Sequence, residues 1–388
     1  MLETSPMQQW EKTISGDTRD MQELLGGFVT LATDYKAMIM IIVGFGLIYL
    51  AIRKEYEPSL LLPIGFGTIL ANLPMSSAVG IDGILTFLFK VGIQTELFPL
   101  LIFIAIGAMI DFTPLLKNPM MLLFGAAAQF GIFFTLSTAT LFGFTLREAA
   151  SIGIIGAADG PTSIYVTSKF ATELLGPISV AAYSYMALVP IIQPPIVRLL
   201  TSSKERKIRM DYHAGDVSRT VKVIFPIVVT MLAGVIAPSA VSLIGFLMFG
   251  NLIRECGVLK SLSESAQKEL ANLVTILLGI TIASTMTGER FIQPTTLLIL
   301  VMGLVAFIFD TAGGVLFAKL LNLFLKKKIN PMVGACGISA FPMSARVIHK
   351  MGQKEDPFNF LLMPAVSANV AGQIGSVIAG GLILALVH

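Results

Sequence analysis

Apolar residues run along this chain in long blocks with hardly any polar face between them. The blocks cover about 37–52, 59–76, 80–92, 98–116, 119–144, 176–200, 221–237, 239–253, 270–287, 293–325 and 357–387. Crossing the hydrocarbon of a bilayer takes roughly 20 such residues in a helix, so most blocks predict membrane spans. Those at 80–92 and 239–253 are short and predict tilted or half-spanning helices. Two further stretches, 147–172 and 331–352, are apolar but interrupted by glycine, proline and polar residues, and each predicts a helix–break–helix hairpin. The first 36 residues are mixed polar, with no signal-peptide pattern, and 21–33 predicts an amphipathic helix lying at the membrane surface.

Composition strengthens that picture. Of 388 residues, 55% are hydrophobic and 13% charged, against about 25% charged in soluble domains, and mean hydropathy is +0.82. The length would allow two or three soluble domains; the composition predicts one all-α polytopic membrane unit. A net charge of +3 is too small and dispersed for nucleic-acid binding. Cys256 and Cys336 are too few for a disulfide scaffold or an all-cysteine zinc site, and His213, His349 and His388 are too far apart for a histidine-rich metal centre.

Loop charges set the expected orientation. The one long loop carries Lys204, Arg206, Lys207, Arg209, Arg219 and Lys222, which places it in the cytoplasm. Alternating the spans from there puts Lys117, Lys326, Lys327, Lys328 and the N-terminus inside. Arg53, Lys54, Arg147, Lys169, Arg290 and the C-terminal His388 fall outside. The expected localisation is the inner (cytoplasmic) membrane.

The two halves of the chain look alike. Gly107 follows one apolar run and Gly279 another; a helical pair on the scale of 35 residues follows each, and then a hairpin that opens on glycine, at Gly156 and at Gly334. With the orientation above, the halves run in opposite directions. That is the pattern of inverted-topology repeats, whose ions bind between broken helices near the bilayer midplane; a parallel duplication or coincidental hydropathy are the alternatives. The expected organisation is 1–56 as N-terminal segment and first span, 57–200 as repeat one, 201–222 as basic loop and 223–388 as repeat two.

Ionisable residues at membrane depth are costly, and therefore functional candidates. Asp159 lies between two apolar halves at a Gly-Pro break. With Thr162 and Ser163 it offers a carboxylate, two hydroxyls and unwound carbonyls to a hard cation; it can equally cap the second half-helix. Asn330, Gly334, Gly337, Ser339 and Ser344 mark the second hairpin, where Asn330-Pro331 also reads simply as a helix start. Asn369 is either interhelical glue or a carbonyl ligand. Arg346 either snorkels to the interface or meets a substrate carboxylate. Asp111 and Asp310 are read as interfacial caps, and Tyr185 as packing with one hydrogen bond or as a proton relay. No nucleotide-binding loop, His-Glu-x-x-His or Gly-x-Ser-x-Gly motif occurs. Ala37-Met38-Ile39-Met40 has Ile39 where a biotin-accepting lysine would stand, so the chain carries no biotin there.

The stretch Gly156-Ala157-Ala158-Asp159-Gly160-Pro161-Thr162-Ser163-Ile164-Tyr165 resembles the signature of the beta subunit of sodium-translocating, biotin-dependent decarboxylases, the oxaloacetate, methylmalonyl-CoA, glutaconyl-CoA and malonate decarboxylases. Four more stretches resemble the same family in order: Gly107 to Phe112, Ala187 to Pro195, Asn330 to Val347, and Asn369 to Ser376. The resemblance implies a membrane subunit that decarboxylates carboxybiotin and couples this to sodium export and proton uptake. It implies that a biotin carrier subunit presents the carboxybiotin, that a carboxyltransferase alpha subunit loads it, and that a small single-span gamma subunit joins a homotrimeric core in some members. It implies that Asp159 is the key sodium ligand, that Asn330, Gly334 and Ser339 belong to the sodium and proton pathway, that Asn369 is at the ion site, that Arg346 serves the carboxybiotin, and that Tyr185 carries a proton. The competing expectation from the residues alone is a stand-alone sodium-coupled transporter of an anionic metabolite.

Overall fold

The computed structural model describes residues 26–387 except 28, 56–57, 75, 211–215 and 237, and every regular element among them is helical. Eight helices organise the site: α1 (Tyr35–Lys54), α2 (Phe130–Leu141), α3 (Leu146–Gly153), α4 (Gly160–Phe170), α5 (Leu175–Leu200), α6 (Pro294–Phe324), α7 (Met343–Glu355) and α8 (Leu362–Leu386). The surface helix expected at 21–33 falls partly outside the described residues; within it, 29–33 are helical.

Among the described residues, five helices are long and apolar enough to cross a membrane, or seven if each of two bent pairs forms one span. α1 shows why lipid is their solvent. Ala37, Met40, Leu47 and Ala51 face inward while Met38, Ile42, Phe45, Tyr49 and Ile52 are exposed. Both faces are apolar at helical spacing, and an exposed apolar face of that extent is stable against hydrocarbon, not water. The chain is thus an all-helical, multi-pass membrane protein.

The short block at 80–92 forms a short helix, as its length predicts. Ile84–Ile93 joins Leu97–Met109 through a 62° bend. α5 bends by 66° between Thr172–Met186 and Leu188–Leu200; Pro190 has no N–H for the Met186 carbonyl, and its ring crowds that turn. The helical pair expected in the second half is one unbroken helix, α6, of 31 residues. In the first half, Leu122–Ala128 and α2 meet at Gln129.

Both interrupted stretches are broken in the structure. In the first, α3 tightens into a 3-10 turn at Ile154–Ala157, Ala158 turns left-handed at φ 51°, and α4 starts after Asp159. Pro161 is tolerated in the first turn of α4, where an amide has no helical partner. In the second, a 3-10 segment runs over Pro331–Gly337, the chain extends at Ile338, and α7 follows from Met343. The two breaks cross: the Ser339 amide donates to the Ala157 carbonyl at 2.9 Å. α8 packs across both hairpins.

Basic residues gather at one end of the bundle. Lys319 pairs with Glu205 at 3.2 Å, Arg206 with Glu355 at 2.6 Å and Arg209 with Asp356 at 2.7 Å. Lys117, Lys326, Lys327 and Lys328 line one cavity of about 490 Å³ at this end, together with Met210.

Candidate functional site

Asp159 occupies the crossing of the breaks and is 2% exposed. Its Oδ1 accepts the Thr162 amide at 3.1 Å, so it caps α4. Its Oδ2 faces three side chains from elsewhere. Ser376 Oγ is 2.6 Å away, Ser339 Oγ 3.1 Å and Gln373 Nε2 3.4 Å. Ser339 Oγ also lies 2.6 Å from Gln373 Oε1 and 3.1 Å from Ser376 Oγ.

Each of these hydroxyls has a single proton. Ser339 therefore cannot donate to both Asp159 Oδ2 and Gln373 Oε1, and lone pairs outnumber protons in the cluster. An oxygen-rich pocket with one carboxylate suits one monovalent cation, which neutralises it without leaving residual buried charge. Among the described residues no group of three or more His, Cys, Asp or Glu could hold a metal, so no multi-carboxylate divalent site competes with this one.

Asn369 reaches the same crossing. Its Nδ2 donates to the Ile338 carbonyl at 2.7 Å, and its Oδ1 is buried without a partner. Thr162 Oγ1 is likewise buried and unpartnered, while Ser163 Oγ donates to the Asp159 carbonyl at 2.8 Å. Asp159, Ser339 and Asn369 are thus together. Gln373 and Ser376 complete the cluster and were missed as site residues. The signal was available: 369, 373 and 376 fall at i, i+4 and i+7 of an apolar helix, one polar stripe on one face.

The other expected site residues lie apart from the Asp159 cluster. Asn330 Oδ1 caps the Met332 amide at 3.1 Å, while Nδ2 donates to the carbonyls of Arg206 and Ile208 at 2.9 and 2.8 Å. It ties the basic loop to the start of the second hairpin. Gly334 lies where the 3-10 segment crosses α6, and a Cβ on it would stand 2.1 Å from the Gly314 carbonyl oxygen. The Tyr185 hydroxyl donates to the Leu300 carbonyl. Tyr183 is the tyrosine whose ring covers the break, against Gly160. Arg346 is exposed on α7. Buried Ser344 and Gln193 bond each other at 2.9–3.0 Å, and Gln193 Nε2 holds the Ala335 carbonyl at 2.8 Å.

Two aspartates were expected to be interfacial caps. Asp111 accepts the Thr113 amide at 2.9 Å, just before a short helix that has Phe112 at its N-cap. Asp310 does not lie near an interface. It sits halfway along α6 and is fully buried, because one continuous 31-residue helix carries its middle at the bundle centre.

Fold and site together define a polytopic membrane protein built around a buried carboxylate at the crossing of two broken helices. The sequence profile of the Na+-transporting oxaloacetate decarboxylase beta subunit matches residues 36–387, and the chain belongs to that family. It is 52% identical to the methylmalonyl-CoA decarboxylase subunit beta of Propionigenium modestum over 375 residues, 90% of this chain and 94% of the relative. It is 52% identical to the glutaconyl-CoA decarboxylase subunit beta of Acidaminococcus fermentans over 361 residues, 93% and 95% of the two chains. Identity to the oxaloacetate decarboxylase beta chain 2 of Salmonella typhi is 45% over 425 residues, 94% and 98%. The protein is therefore a membrane subunit of a sodium-transporting decarboxylase.

Proposed function

We propose that this subunit decarboxylates carboxybiotin presented by a biotin carrier subunit and couples the reaction to sodium export and proton uptake. The observation that carries the reading is the oxygen cluster around Asp159. We assign sodium, the transported ion, to Asp159, Ser339, Gln373 and Ser376, with Asn369 Oδ1 as a further ligand. Asn330 and Gly334 hold the second hairpin in place along the pathway, and Tyr185 is the proton carrier. Exposed Arg346 meets the carboxybiotin carboxylate, and Ser339 links that reaction to the ion site.

Loss of CO2 from N-carboxybiotin leaves the electron pair on the ureido nitrogen, and one proton restores the neutral ureido group. Each charge moved against 100 mV costs about 2.3 kcal/mol, so an exergonic decarboxylation can drive one or two ions. We further propose an inverted-repeat architecture split at the basic loop, with that loop and the N-terminus cytoplasmic, the C-terminus outside, and the chain in the inner membrane. The complex would include a carboxyltransferase alpha subunit and a small gamma subunit around a homotrimeric beta core. The family match favours this pump over a stand-alone secondary transporter.

The test uses the complex in proteoliposomes with a biotin carrier domain loaded as carboxybiotin. Sodium-stimulated CO2 release is expected from the native protein and background release from Asp159→Asn. Normal sodium pumping by Asp159→Asn would overturn the ion-site assignment. Sodium-dependent dicarboxylate uptake without CO2 release would replace the pump by the transporter.

A further inference from the structure

A second buried carboxylate lies close to the crossing and has no part in the site above. Asp310 is fully buried, and no ion pair involves it among the described residues. Its position in α6 is about 24 Å from one end of the helix and about 21 Å from the other at 1.5 Å per residue. Its Oδ1 accepts the buried Ile132 amide at 3.1 Å, in the N-terminal turn of α2. Its Oδ2 has no partner. An ionised carboxylate with a bare oxygen in this setting is costly by several kcal/mol, more than a neutral carboxyl would be.

The surroundings of Oδ2 discriminate between a metal ion and a proton. A Cβ built on Gly156 would stand 2.8 Å from Oδ2 and 2.9 Å from the Ala306 methyl. One side of Oδ2 is therefore closed by glycine backbone and the Ala306 methyl, which bring no oxygen ligand. A hard cation needs several oxygen ligands; a proton needs one and no cavity. Gly156 also lies in the 3-10 turn that leads, through left-handed Ala158, to Asp159 three residues on.

We propose that Asp310 is a proton-binding site whose occupancy is coupled to sodium at Asp159. With the proton on Oδ2, the neighbourhood of Asp159 is neutral and sodium is held less tightly. With the proton gone, a second negative charge strengthens the hold on sodium. Proton uptake at Asp310 thus favours sodium release, and sodium binding favours proton release. The other groups that face α6 are few, and Lys319, on α6 itself nine residues on, is paired with Glu205. The broken helix 119–141 and the Ile154–Ala157 turn carry no ionisable side chain. α5 presents Tyr185, fixed on Leu300, and has Arg198 near its far end. The second hairpin presents Cys336, and α3 has Arg147 and Glu148 in its first turn. The coupling rests on the assignment of sodium to Asp159; the protonated state of Asp310 does not.

Measurements on the purified full complex test this. In infrared difference spectra recorded on adding sodium, we expect a carboxylic-acid C=O band that shifts in D2O, decreases with sodium and is missing from Asp310→Asn. Proton release on sodium binding should fall by the share that Asp310 contributes, and sodium affinity above neutral pH should weaken about tenfold in that variant. A native spectrum with no such band, or a band that ignores sodium, would overturn the proposal. If Asp310→Asn does not assemble, Asp310→Glu replaces it: the acid band should move in frequency and still decrease with sodium, and a band at the native frequency would overturn the assignment to Asp310. Should Asp159→Asn keep native sodium affinity while the Asp310 band still falls with sodium, the Asp159 assignment fails and Asp310 protonation stands.

Discussion

At the scale of single residues, the Asp159 environment is a balance between capping and ion binding. One oxygen is committed to the Thr162 amide, and the other is shared among Ser339, Gln373 and Ser376. Both readings of Asp159 open in the sequence are compatible, since different oxygens carry them. Gln373 and Ser376 therefore provide a direct test. Removing one oxygen that faces a charge costs about 1.5–3 kcal/mol, so Gln373→Leu and Ser376→Ala should each raise the sodium concentration for half-maximal CO2 release by about tenfold or more. Sodium titration of each variant checks this, and an unchanged half-saturation point would remove that residue from the ion site. Asn330 shows the converse. Its cap was legible from Asn-Pro alone, whereas its hold on the Arg206 and Ile208 carbonyls required the fold.

At the scale of elements, the decisive contacts are crossings made possible by small residues. The second hairpin meets α6 at Gly334 and Gly314, where each missing side chain leaves room for the other's carbonyl, 2.0–2.1 Å from the site a Cβ would take. Neither backbone can yield like a flexible side chain. Gly334→Val is expected to push the hairpin off α6, at a cost of about 1–3 kcal/mol from overpacking. A lowered thermal midpoint of the detergent-solubilised protein would report it; an unchanged midpoint would show that the crossing adapts. The positions of both breaks were readable from Gly, Pro and Asp in apolar surroundings. Their crossing was not, because it depends on long-range bonds from Ser339 to Ala157 and to Asp159.

At the scale of the whole molecule, the basic end is clasped by charge. The bond from Arg206 holds the Glu355 carboxyl below its ordinary range, and that from Arg209 does the same for Asp356. Carboxyls with depressed values stabilise the fold above their unfolded-state values, and that contribution disappears as pH falls through the folded ones. The clasp between residues 201–210 and the end of α7 should thus be closed at neutral pH and open on acidification below the ordinary carboxylate range. Amide exchange of 201–210 is expected to speed up in that window, and Arg206→Ala should show the fast exchange at neutral pH. Exchange that is independent of pH after correction for its intrinsic rate would show that these pairs do not hold the loop. Both pairs are solvent-accessible, so salt should weaken them as well.

The sequence by itself determined the helical membrane architecture, the places where helices break and the prominence of Asp159. Hydropathy, helical period and the backbone limits of glycine and proline are local properties, and a buried carboxylate at a break is conspicuous wherever the chain goes. Tertiary structure decided which polar residues share its site. Ser339 and Ser376 reach Asp159 across 180 and 217 residues of chain, and Asp310 became a central buried acid only because α6 runs unbroken. Such pairings are set by how helices pack, and no local pattern encodes the distance between two residues that only packing brings together.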